Sequence, residues 1–290
     1  MRISSKIQLL FQMFTLNCKG KILSLENPLV MGIINVTPDS FYKGGLNEGN
    51  EAILKLAGKM IEDGADILDI GGQSSRPGSE RVSAQVELER VIPVIKLIRQ
   101  QYKEIVLSVD SYYSLVAENA IKEGVNIVND ISAGEMDKRM IETVASLQVP
   151  YVCMHMKGTP DSMQQNISYS DLLKEVLDFF IQKTDECKRA GIHDIIVDPG
   201  FGFGKTASHN FELLKNLHVF QMLEKPILVG LSRKSTIYKT LNISVDEALN
   251  GTTVLNTLAL NNGANILRVH DVKEAKEAIM LMKEYKRSEN

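Results

Sequence analysis

Residues 195–205 read IIVDPGFGFGK: a short apolar run, an Asp-Pro-Gly turn, then a glycine-spaced segment closing on a lysine. The run is continuous, with no polar alternation, so both of its faces are covered, as in a parallel strand packed beneath helices. The same unit recurs along the chain. Its other apolar runs are LVMGII (29–34), ILDI (67–70), IVLSV (105–109), NIVN (126–129), YVCM (151–154), PILVG (226–230) and NILRV (265–269).

Amphipathic stretches separate these runs. Across 171–190, Leu172, Leu173, Val176, Leu177, Phe180 and Ile181 fall at helical spacing, with Ser170 as N-cap and Gly191 as the stop. Across 83–101 the apolar set is Val86, Val91, Val94, Ile95 and Ile98. Pro93 inside that pattern predicts a kink or a late start. Stretches around Phe179 and Met280 read as helix core. Buried strands alternating with helices eight times give an α/β fold, a single (β/α)8 TIM barrel; an open doubly wound sheet stops at about five or six strands. Residues 14–25, FTLNCKGKILSL, predict an N-terminal β-hairpin turning at Lys19–Gly20 and plugging the barrel's N-terminal end. The division expected is a disordered tail over 1–13 and one barrel domain over 14–290.

The chain's 290 residues suit one such barrel. A net charge of −3 gives no global attraction to nucleic acid or to an anionic membrane, so any anion site is built locally. No run approaches the roughly 18 apolar residues of a membrane span. Cys18, Cys153 and Cys187 are scattered and odd in number, which argues against a disulfide framework and predicts a reducing, cytoplasmic setting. Cys153, inside a strand, reads as a small core hydrophobe. No GxSxG elbow is present, and FGFG (201–204) is not a dinucleotide fingerprint.

The chemistry collects where the strands end. NVTPDSFYKGG (35–45) follows the first run and GGQSSRPGSE (71–80) the second. Later runs end in Asp110, Asn129–Asp130, His155, Asp198, the SRKS segment (232–235), and Arg268 with His270. Taken singly, Asp69 reads as a helix cap, Lys234 as a solvated charge and His155 as a satisfied core histidine. Taken together they converge on one mouth, where barrel active sites lie. Asn35, Ser75, Arg76, Arg268 and His270 come from three neighbouring strands and suit a phosphate or diphosphate, and the Asn35 carbonyl suits Mg²⁺. Asp110, Asn129, Asp198 and Lys234 suit the donor and acceptor edges of a nitrogen-rich ring. The alternative for this second set is an internal Asp–Lys ion pair, against which Asn129 and the neighbouring anion pocket argue.

These residues lie in motifs that resemble the dihydropteroate synthase family from about residue 14 to residue 285. The motifs are MGIINVTPDSF (31–41), DIGGQSSRPG (69–78), SVDS (108–111), IVND (127–130), MHMKGTP (154–160), DPGFGFGKT (198–206), VGLSRKS (229–235) and RVHDV (268–272). The resemblance implies a transferase of folate biosynthesis, a sulfonamide target, joining 6-hydroxymethyl-7,8-dihydropterin diphosphate to 4-aminobenzoate and releasing diphosphate. It implies that Asp110, Asn129, Asp198 and Lys234 bind the pterin. Asn35, Ser75, Arg76, Arg268 and His270 would hold the diphosphate with Mg²⁺ on Asn35, and Ser235, Phe203 and Pro77 would border the aminobenzoate. The catalytic set it implies is Lys234, Arg268, His270 and Asp110, in a homodimer built through the last helices. Two features depart from the family pattern. Lys43 stands where most members carry Asp, and GGQSS stands for GGEST, with Ser75 keeping the threonine hydroxyl. Lys43 and Gln73 leave a non-catalytic pterin-binding paralogue as an alternative. A pterin-dependent methyltransferase on the same barrel is another, though it has little need of Arg268, His270 and SRPG (75–78).

Overall fold

The computed structural model describes residues 13–36, 46–73, 81–163 and 167–288. The hairpin forms as expected. Strands β1 (Thr15–Cys18) and β2 (Lys21–Ser24) pair antiparallel, and Lys19 (φ 57°) with Gly20 (φ 89°) makes the two-residue turn. Of the tail expected over 1–13, only Met13 falls among the described residues, and it is exposed.

Eight parallel strands follow: β3 (Leu29–Asn35), β4 (Ile67–Gly71), β5 (Val106–Asp110), β6 (Ile127–Asp130), β7 (Tyr151–Met154), β8 (Ile195–Asp198), β9 (Leu228–Val229) and β10 (Ile266–Val269). Their order is β8-β7-β6-β5-β4-β3-β10-β9, and a single parallel bridge between Val197 and Ile227 joins the two ends. The helices are α1 (Leu46–Glu62), α2 (Ala84–Gln101), α3 (Ser114–Lys122), α4 (Met140–Leu147), α5 (Leu172–Ala190), α6 (Ala207–Lys215), α7 (Ser235–Leu241), α8 (Leu249–Asn261) and α9 (Val272–Arg287).

Alternate strand residues face opposite ways, and the two sets bury different things. Outward residues such as Val30, Leu68, Leu107 and Val128 pack under the helices. Inward, Met31, Ile67, Val106, Ile127, Val152, Ile196, Leu228 and Ile266 form one apolar floor, an inward layer of the kind that fills barrel cores. The hairpin's Leu16 and Cys18, with Leu25, seal that floor from below.

Three local expectations need correction. Helix α5 is capped by Asp171, whose carboxylate accepts from the Lys174 N–H at 3.0 Å; Ser170 instead donates through its hydroxyl and its N–H to Glu175. Both are good cap residues, and the carboxylate one position nearer the helix takes the role. Gly191 (φ 100°) ends the helix as predicted. Helix α2 begins well before Pro93, under a Ser83 cap, so of the two expectations there the late start is overturned, and the helix runs through the proline. The buried stripe of Val91, Val94, Ile95 and Ile98 is continuous across the proline, and its burial offsets the lost hydrogen bond. Phe180 is core, but Met280 and Leu281 on α9 are 62% and 73% exposed.

Candidate active site

Two residues further along each strand, the inward positions change character. Above the apolar floor lie Ile33, Asp69, Ser108, Asn129, Met154, Asp198, Gly230 and Arg268. Strand register also sets Asn35 beside Gly71, Gly71 beside Asp110, and Asp110 beside Asn129. Three of these four neighbouring strands thus carry a polar side chain at their C-terminal ends, with Gly71 between Asn35 and Asp110.

Arg268 is the hub of this layer. Its Nε donates to Asp69 Oδ2 at 2.7 Å and its Nη2 to Asp110 Oδ2 at 2.5 Å. Asn129 Nδ2 donates to the same Asp69 oxygen at 2.9 Å. The division into an anion-binding and a ring-binding set is therefore too clean. Arg268, assigned to the first, is held here by a carboxylate of the second. Asp69, read singly as a helix cap, caps nothing; it is completely buried and faces inward. Its signal was available in the sequence, since it stands two residues beyond the inward-facing Ile67.

On the other side of the mouth, Asp198 Oδ1 accepts from the Gly200 N–H at 2.7 Å. The Lys234 ammonium donates to the Phe201 carbonyl and lies 4.5 Å from the centre of the Phe203 ring. Among the described residues no carboxylate comes within 4.0 Å of Lys234, so the internal Asp–Lys pair does not form. Ser235 follows directly as the first residue of α7. His270 and Ser232 form a reciprocal pair. The His270 N–H donates to Ser232 Oγ at 3.2 Å, and Oγ lies 3.0 Å from Nδ1.

Burial tunes the charges. It pushes the Asp110 carboxyl up to about 7, against the pull of Arg268. It raises Asp198 too, opposed by Lys234. It lowers Lys234 to about 8, with Asp198 resisting. For Arg268 burial works against the charge, but Asp69 and Asp110 overcompensate and hold the guanidinium firmly cationic.

Several rim residues serve the scaffold. Asp130 turns outward and accepts from Ser132, Gly134 and the Tyr151 hydroxyl. Arg233, in the left-handed region at φ 52°, makes a two-pronged ion pair with Asp271 (2.9 and 2.8 Å). His155 is a satisfied core histidine: its Nδ1 lies 2.8 Å from Lys205 Nζ, and burial with that cation holds it down to about 2. Burial likewise lowers Lys205 to about 7, and the amine also donates to the Phe203 carbonyl at 3.0 Å. Cys153 faces outward into the core, its thiol held well above the ordinary range by burial. The departure at Gln73 is accommodated. Its amide donates to the buried Glu87 at 3.1 Å and its carbonyl accepts from the Tyr112 hydroxyl at 3.0 Å. Burial pushes Glu87 up to about 8. Ser75, Arg76, Pro77 and Lys43 lie outside the described residues. Among those described, no three His, Cys, Asp or Glu side chains gather as a metal-binding group.

The model of the family described as pterin binding enzyme matches residues 31–270. The chain is 43% identical over 266 residues to dihydropteroate synthase of Escherichia coli K12, covering 91% of this chain and 94% of that protein. A crystal structure of Yersinia pestis dihydropteroate synthase with a sulfonamide drug superposes with a TM-score of 0.88 at 39% identity, over 95% of this chain and 100% of that one. Xanthomonas albilineans dihydropteroate synthase in complex with 7,8-dihydropteroate superposes with a TM-score of 0.85 at 37% identity, over 94% and 99% of the two chains.

Proposed function

The chain belongs to the pterin-binding enzyme family, and we propose from that premise how its barrel mouth does the work of a dihydropteroate synthase. The substrates are 6-hydroxymethyl-7,8-dihydropterin diphosphate and 4-aminobenzoate. A carbon–oxygen bond to the diphosphate breaks, and the arylamine nitrogen bonds to that carbon and loses a proton. Products are 7,8-dihydropteroate and diphosphate. The observation that carries this reading is the polar layer itself: three carboxylates (Asp69, Asp110 and Asp198), an amide and two cations (Arg268 and Lys234) set inside one barrel above an otherwise apolar floor.

Asp110 and Asp198 as carboxylates accept from the ring's N–H and NH₂ groups, Asn129 meets a mixed edge, and Lys234 donates to a ring oxygen or nitrogen. Arg268, on the strand next to Asn35, and His270, just beyond that strand's end, stabilise the departing diphosphate together with Ser75 and Arg76. Asp110, Lys234, Arg268 and His270 form the catalytic set: none attacks the substrate, and each stabilises charge as the bond breaks. Phe203, which lies against Lys234, and Ser235 border the aminobenzoate with Pro77.

The donor chemistry fits Mg²⁺ held by one protein ligand: Asn35 ends β3 beside the Arg268 strand, and such an ion completes its shell with phosphate oxygens and water. When bound it neutralises charge on the leaving group. A homodimer through α8 and α9 is supported by the exposed Val254, Leu258, Met280, Leu281 and Tyr285 on those helices. A cytoplasmic setting is supported by three buried free cysteines. Among the described residues no helix is long and apolar enough to cross a membrane.

Purified protein should release diphosphate only when pterin diphosphate, 4-aminobenzoate and Mg²⁺ are all present, with dihydropteroate as co-product. Absence of turnover in that mixture overturns the reading.

A further inference from the structure

We propose that Asp69, which none of the roles above includes, is a positioning residue that fixes the orientation of the Asn129 amide and anchors Arg268, through one and the same oxygen. The inference rests on the functional reading above and deepens it.

The geometry is economical. Asp69 sits in the middle of β4, fully buried, with Oδ2 accepting from both Arg268 Nε and Asn129 Nδ2. Arg268 Nε and Asn129 Nδ2 can only donate, so Oδ2 accepts from both and the NH₂ end of Asn129 faces Asp69. The Asn129 carbonyl is thereby turned away from β4, leaving its oxygen and one N–H for a ring edge. A ring with its own donor and acceptor swapped would meet like against like. An asparagine without such a neighbour presents either end at little cost, so Asp69 converts an ambidextrous side chain into a discriminating one.

The same oxygen ties the inner end of Arg268. Nε is bound to Asp69 while Nη2 is bound to Asp110, so the guanidinium has a fixed pivot and an outer edge resting on a second carboxylate. When the ring engages Asp110, the outer edge can turn toward the diphosphate without the side chain losing its anchor.

Asp69 is also a poor candidate for a purely structural ion pair. Its Oδ1 is buried and makes no hydrogen bond among the described residues, as is true of Ser108 Oγ beside it in register. Unpartnered buried polar atoms cost stability, and a barrel selected for stability alone would place apolar residues there, as it does one layer below.

The test compares wild type with Asp69→Asn, which keeps the shape but offers position 129 a donor as well as an acceptor. Steady-state diphosphate release gives KM for each substrate, and calorimetry gives Kd for 6-hydroxymethylpterin lacking the diphosphate. Both the pterin diphosphate KM and the dephosphorylated pterin Kd are expected to rise roughly tenfold to hundredfold. The aminobenzoate KM should stay within about twofold, since Asp69 touches nothing on that side. A merely structural Asp69 would lower the melting temperature and leave both pterin constants unchanged, which overturns the proposal. If wild type itself fails to turn over, the functional reading falls, while pterin affinity still decides the role of Asp69. Should Asp69→Asn not fold, the wild-type Asn129 side-chain NH₂ serves instead. By ¹⁵N NMR without ligand its proton facing Asp69 should exchange with solvent at least roughly tenfold more slowly than an exposed asparagine's. Exchange at the exposed rate overturns the pinning.

Discussion

Two layers of the same eight strands, two residues apart, have opposite chemistry. The floor is aliphatic from every strand and sealed by the hairpin's Leu16 and Cys18. The layer above holds Asp69, Asn129, Asp198 and Arg268 in a space hardly more exposed. The floor gains free energy from burial, whereas the polar layer forfeits it through desolvated charges and recovers only part through ion pairs. The backbone that builds one layer must build the other, so the stable floor tolerates the costly site. The lesson is that stability and reactivity are separated here by depth along the barrel axis.

Perturbing each layer should therefore move a different observable. The largest effect is expected for Arg268→Ala, which strips Asp69 and Asp110 of their shared cation: about 4 kcal/mol of transition-state stabilisation, or roughly a thousandfold in kcat/KM for pterin diphosphate by diphosphate-release assay. Ile67→Ala in the floor should cost about 3 kcal/mol in denaturant unfolding yet leave kcat/KM of the folded enzyme within about twofold. A large loss of activity there would erase the contrast between the layers. Smaller again is the pH response. On the proposed reading the ring meets Asp110 ionised and Lys234 protonated, so kcat/KM should be bell-shaped, with its acid limb near 7 and its alkaline limb near 8. Asp110→Asn should move the acid limb to lower pH, leaving the limb that Asp198 sets. The smallest effect concerns Glu87, beneath Gln73. Its folded-state value near 8 lies above the ordinary 4.5, so the folded protein holds a proton that the unfolded chain releases. That contribution is complete below about 4.5 and is lost as pH rises through 8. Glu87→Gln should flatten the fall in melting temperature between those limits, measured by calorimetry.

The floor was the more legible layer. Near-continuous runs such as LVMGII and YVCM announce parallel strands without reference to partners, and all eight appear where the runs lie, with β9 trimmed to two residues. The site was legible by residue type but not by pairing. Asp110, Asn129, Asp198, Lys234, Arg268 and His270 all sit at the expected mouth, because strand ends fix their height. That Arg268 would turn to Asp69 and Asp110 depends on strands far apart in sequence meeting across the axis, which no local pattern encodes. Asp69 was hidden by a common local role for its residue type, and only its two-residue offset from Ile67 betrays it. The cap at Asp171 was missed because adjacent Ser and Asp offer equivalent acceptors.

One seam of the barrel carries a consequence of its own. Strands β8 and β9 meet through a single bridge at Val197 and Ile227, whereas neighbours elsewhere are laced by registers of two to five residue pairs. Asp198 stands on one bank of this seam and Lys234 on a loop rising from the other. A heterocycle gripped by both, as proposed above, would act as a suture, closing the wall where it is thinnest. Deuterium uptake at the Val197 amide should accordingly be faster than at Val109 or Val128, and a bound pterin should quench the difference.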